Sequence, residues 1–86
     1  MPNIEAITAA LSDAVGQPVR RGIEEWSWLY DDMPRLRLQP RCCAIFDDGT
    51  AQVWGSSNAL NITPRLLDKL HAASQIVRRM MEAQHG

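Results

Sequence analysis

The stretch WSWLYDDMPRLRLQ, running from Trp26 to Gln39, decides how the chain folds. Trp26, Trp28 and Tyr30 alternate with Ser27 and Leu29, and beyond Asp31-Asp32-Met33-Pro34 the residues Arg35 and Arg37 alternate with Leu36 and Leu38. Alternation with period two sends successive side chains to opposite faces of a strand. Asp-Asp-Met-Pro is turn chemistry. A helix over residues 23–33 is the competing reading, because Ile23, Trp26, Tyr30 and Met33 also recur at helical spacing. That helix would lack a good N-cap and would carry Asp31 and Asp32 at the negative end of its dipole. The strand is therefore the preferred expectation.

Downstream, Cys42–Phe46 and Ala51–Trp54 flank Asp47-Asp48-Gly49-Thr50. Asp-Gly between apolar runs is a hairpin signal, since both central residues of a type I′ turn need positive φ. Pro40 kinks or interrupts the Arg35–Gln39 strand, or marks it as an edge.

The two ends read as helices. Asn3 is a suitable N-cap, Glu5 complements the dipole, and Ile4, Ile7, Leu11, Ala14 and Val15 make an apolar stripe closed by Gly16 and Pro18. Thr63 and Pro64 open the last helix, whose stripe is Leu66, Leu67, Leu70, Ala73, Val77, Met80 and Met81. The expected architecture is a single α+β domain over residues 1–86, ordered α-β-β-β-α. It is a three-stranded antiparallel meander with the N- and C-terminal helices on one face.

Such a sheet keeps its second face open. If the turn pairs Tyr30 with Arg35, then Trp28 lies opposite Arg37 and Trp26 opposite Gln39. The leucines would pack under the helices. Trp26, Trp28, Tyr30, Arg35 and Arg37 would form an outward face of residue types that recur at binding hot spots. The opposing consideration is energetic. Burying each large apolar side chain is worth about 1.5–3 kcal/mol, so a small domain has reason to put its indoles inside. Trp54 on the third strand is expected in the core. A second group, Glu24, Glu25, Asp47 and Asp48, gathers at one end of the meander, either as an acidic rim or as turn and solubility chemistry.

Composition limits the function classes. The chain has 86 residues and a formal charge of -1, which gives no bulk attraction to nucleic acid or anionic lipid. The first residues, MPNIEAITAALSDAVG, lack a basic segment followed by a long apolar one. No apolar run reaches membrane-spanning length. A cytoplasmic location is the expectation. Cys42 and Cys43 are adjacent, a spacing that suits neither a disulfide nor a zinc site. Cys42 or Cys43 could meet His71, but no third group orients such a pair. No phosphate loop or hydrolase motif is present. No enzyme activity, cofactor or metal is expected.

A protein-binding role remains. Single-stranded nucleic acid, stacked on the aromatic face and neutralised by arginines, is the alternative. In size, mixed α+β plan and absence of catalytic chemistry the chain resembles the small inhibitors that phages and other mobile elements encode, anti-CRISPR proteins among them. That likeness is of general type, and no residue carries it. It implies an inhibitor or adaptor docking on a larger protein or ribonucleoprotein complex. A homodimer through the open face or a strand edge is a further arrangement this sheet permits.

Overall fold

The computed structural model describes residues 3–30, 41–54 and 64–85. The elements in chain order are α1 (Ile4–Val15), β1 (Arg20–Arg21), β2 (Glu25–Tyr30), β3 (Arg41–Phe46), β4 (Ala51–Trp54) and α2 (Pro64–His85). The strands form one antiparallel sheet in the order β1-β2-β3-β4. The α+β class and both helices are as expected, but among the described residues the sheet has four strands and not three. The added strand, β1, is two residues long. That is too short for an alternating pattern to show in the sequence.

Helix α1 begins where Asn3 Oδ1 accepts the Ala6 N–H at 3.0 Å. It ends at Gly16, whose φ of 79° is left-handed and whose N–H donates to Ser12 O at 2.9 Å. Ile7, Leu11 and Val15 repeat every four residues and are fully buried. Ser12 Oγ donates to Thr8 O at 2.9 Å and accepts the Val19 N–H at 3.2 Å, which steers the chain from α1 toward β1. In α2 the buried stripe is Leu66, Leu70, Ala73 and Val77. Leu67 departs from the expected stripe and is 53% exposed.

The segment with competing readings is a strand from Glu25 to Tyr30, but its partner is not the expected one. Tyr30 lies opposite Arg41, Trp28 opposite Cys43 and Trp26 opposite Ile45. The expected partners Arg35, Arg37 and Gln39 lie outside the described residues. The long pairing of β2 with β3 puts Trp26 and Trp28 on the same face as Cys43 and Ile45. That face is the one the helices cover. Trp26 is 0% exposed and Trp28 3%, clustered with Ile7, Leu11, Val15, Ile45, Leu66 and Val77. The expected outward aromatic face is thus inverted: the tryptophans are core, and Leu29 is 57% exposed. The reason is the one weighed above. Ser27 and Leu29 lose far less by facing water than two indoles would.

The β3–β4 turn is also a variant of the expected one. Gly49 N–H donates to Phe46 O at 2.8 Å and Phe46 N–H to Thr50 O at 2.8 Å. Gly49 has a positive φ of 87°. This is a three-residue hairpin loop closed by a left-handed glycine, in place of a two-residue type I′ turn. Ser74 Oγ of α2 donates to Gly49 O at 2.6 Å and docks the turn on the helix.

Candidate functional site

Because the indoles are inside, the candidate surface is the opposite face of the sheet, helix-free among the described residues. Register places Arg20, Ser27, Ala44 and Gln52 in one row across all four strands. The next row holds Leu29 and Cys42, with Trp54 at the β4 position. Glu25 and Phe46 form the row on the other side. Arg20 and Leu29 are exposed, Cys42 and Phe46 are half-buried, and Ala44 is buried. The side chains of Tyr30, Arg41 and Trp54 lie outside the described part of the structure, so the expected core position of Trp54 does too.

Of the residues expected to meet a partner, Trp26 and Trp28 are sealed in the core. Trp26 Nε1 donates to Thr8 Oγ1 at 2.9 Å, and Thr8 in turn donates to Ile4 O at 2.7 Å. The guanidinium of Arg21 lies over the Trp26 ring, 4.1 Å from its centroid. An arginine does stack on an indole, as expected of Arg35 or Arg37, but it is Arg21 from the unforeseen strand. Trp28 differs from Trp26. Its buried indole N–H has no hydrogen-bond partner among the described residues.

The acidic doublets do converge at one end of the sheet. Glu25 lies opposite Phe46, and the Asp47 N–H donates to Glu24 O at 3.1 Å. Their carboxylates are used unequally. Asp47 accepts both Arg21 terminal nitrogens, at 2.6 and 3.3 Å, in a forked ion pair. Asp48 Oδ1 accepts the Thr50 hydroxyl at 2.7 Å and the Thr50 N–H at 2.9 Å. Those two bonds hold its carboxyl below the ordinary value of 3.8. Glu25 Oε2 accepts the Glu24 N–H at 3.1 Å. A shallow depression of about 530 Å³ lies among Glu24, Phe46, Asp47, Asp48 and Thr50. Much of the acidity therefore shapes turns, and Glu24 is exposed beside it.

Other chemistry finds little geometry. Cys42 stands on the helix-free face, which separates it from His71 on α2. Cys43 is fully buried, and the His71 ring nitrogen lies 3.1 Å from Gln75 Nε2 on its own helix. Among the described residues no three His, Cys, Asp or Glu side chains converge as a metal ion would require. No helix among them is long and apolar enough to cross a membrane. Trp26 and Trp28 are buried and offer no stacking surface to single-stranded nucleic acid, while the Tyr30 side chain, Arg35 and Arg37 lie outside the described residues.

No family model, curated protein or solved structure matches the chain. The functional reading accordingly rests on the surface alone. The sequence did not disclose Leu29 as a surface residue, because its alternation with Leu36 and Leu38 pointed to a leucine core. The signal that could have corrected this is volume. Two helical stripes over a short sheet leave a space that indoles fill better than Ser27 and Leu29.

Proposed function

We propose that this protein is a non-catalytic protein-binding module, an inhibitor or adaptor that docks on a larger protein complex in the cytoplasm. The observation that carries this reading is a helix-free sheet face with Leu29 57% exposed at its edge. Half-buried Cys42 lies beside Leu29, and the row of Arg20, Ser27, Ala44 and Gln52 separates them from half-buried Phe46 and exposed Glu24. A face that mixes exposed apolar side chains with polar and charged ones is the usual make-up of a non-obligate protein contact. The general likeness to small inhibitors of mobile elements is compatible with this plan and adds no residue to it.

Affinity capture with the intact chain tests the proposal. The wild type is expected to retain one discrete complex in fixed proportion. Leu29→Glu is expected to lose it at an unchanged melting temperature, because Leu29 contributes little to the core. Equal capture by both forms, or none by the wild type, overturns the reading. Retention on single-stranded RNA or DNA at about 150 mM salt, weakening steeply as salt rises, would move the assignment to nucleic acid.

A further inference from the structure

One rung of the sheet is left open, and backbone chemistry identifies it. Gly22 N–H donates to Glu25 O at 2.8 Å, and Asp47 N–H to Glu24 O at 3.1 Å. In an antiparallel ladder, bonded and non-bonded pairs alternate. With Arg20 opposite Ser27 and Glu25 opposite Phe46, the even-numbered residues of β2 bond to β3. The odd-numbered ones direct their N–H and C=O toward β1. Glu25 meets Gly22 and Ser27 meets Arg20. By the same register Leu29 would meet Pro18, which has no N–H to give. β1 begins only at Arg20, and the intervening Val19 N–H is turned to Ser12 Oγ at 3.2 Å.

Beside this rung lies a groove of about 670 Å³, with Pro18 and Arg20 on one wall and Ser27, Trp28 and Leu29 on the other. Trp28, which lines it, is also the residue whose buried indole N–H lacks an acceptor among the described residues. Leu29 and Arg20 are both exposed here.

We propose that this groove receives an extended segment of the partner polypeptide, which adds a short strand beside β2 and sets an acidic side chain against Arg20. The inference rests on the protein-binding reading and supplies its mode. The Leu29 N–H and C=O have no backbone partner among the described residues, and an extended polypeptide backbone answers both. An apolar small molecule would leave them unpaired. Pro18 cannot donate to the Leu29 carbonyl, and β1 begins only at Arg20, so β1 does not close this rung itself. The open edge is short, which limits unspecific strand pairing.

Short linear peptides enriched on the wild-type protein from a displayed random library are the probe. Residue-resolved amide hydrogen exchange is the readout. In the free protein the Leu29 amide should exchange faster than those of Trp28 and Tyr30, which bond to β3. Bound peptide should slow Leu29 selectively. Pro18→Val supplies a donor for the Leu29 carbonyl, so β1 should lengthen through residue 18, whose own carbonyl then accepts the Leu29 N–H; Leu29 should become protected without peptide, and affinity should fall about tenfold or more. Arg20→Glu should weaken the peptides enriched on the wild type and favour basic ones, which keeps the test open if Pro18→Val misfolds. Peptides that bind without slowing Leu29, or equally to Pro18→Val, overturn the groove while the protein-binding reading stands. Failure to enrich any peptide overturns the groove as well, and the capture experiment then decides that reading separately.

Discussion

Trp26 Nε1 donates to Thr8 Oγ1 at 2.9 Å and so ties the second strand to the first helix through the middle of the core. The ring itself is wholly inaccessible to water. Its polar edge is satisfied by a hydroxyl that also donates back to its own helix, at Ile4 O.

Removing that hydroxyl leaves a buried donor unpaired. Thr8→Val, nearly the same shape, is expected to cost about 1–3 kcal/mol. Thr8→Ser should keep most of the stability. Truncating the ring by Trp26→Ala should cost more, about 3–5 kcal/mol, through the cavity it leaves. Urea unfolding followed by circular dichroism measures all three. A Thr8→Val protein as stable as wild type would show that the indole bond contributes nothing.

The same pair shows how far the fold could be read from the sequence. Helix α1 was legible because its signals are local: Asn3, the four-residue repeat of Ile7, Leu11 and Val15, and Gly16 all act within a few residues of one another. The strand character of β2 was legible from alternation. Its outward side was not, because alternation defines two faces without saying which one the helices cover. Register was illegible for a related reason. Tyr30 could pair with Arg35 or with Arg41 on the same parity, and only the packing of Trp28 against Cys43 and Trp26 against Ile45 separates them. Of the candidate site, the convergence of Glu24, Glu25, Asp47 and Asp48 was visible from topology. The exposed Leu29 and the open rung at Pro18 needed β1, which no periodicity announced.

The clamp at the acidic end gives a second prediction. Arg21 joins β1 to the β3–β4 turn through both oxygens of Asp47 while lying over Trp26. The two side chains are partly exposed, at 21% and 35%, so solvent weakens the pair. A double-mutant cycle with Arg21→Ala and Asp47→Ala should give a coupling of about 0.5–1 kcal/mol. Arg21→Ala alone should cost more than Asp47→Ala, since it also uncovers the indole. Equal single effects would mean the stacking adds nothing.

Gly49 carries a third. Its φ of 87° is strained for any other residue except asparagine or aspartate, and a Cβ there would run into the Arg78 side chain of α2. Gly49→Ala should cost about 1–3 kcal/mol. Combining it with Arg78→Ala should recover only the steric share, leaving the backbone strain of about 1 kcal/mol. Thermal unfolding of the two single variants and the double distinguishes the contributions. Full recovery in the double would assign the whole effect to crowding.

The last prediction concerns acid. The Asp48 carboxyl is held below its ordinary 3.8 first by the Thr50 hydroxyl and next by the Thr50 N–H, with Arg78 adding attraction. A carboxylate whose folded value is depressed stabilises the fold fully above its unfolded value, and that contribution fades as the pH falls through the lower folded value. The turn should therefore keep its full support down to about pH 4 and lose it only below. Thr50→Val removes the hydroxyl donor and should raise the Asp48 titration midpoint toward 3.8. Thr50→Ser should leave it low. Carboxyl-carbon NMR titration reads both midpoints directly. An unmoved midpoint in Thr50→Val would show that the hydroxyl is not what holds the charge, and would leave the backbone N–H and Arg78 as its source.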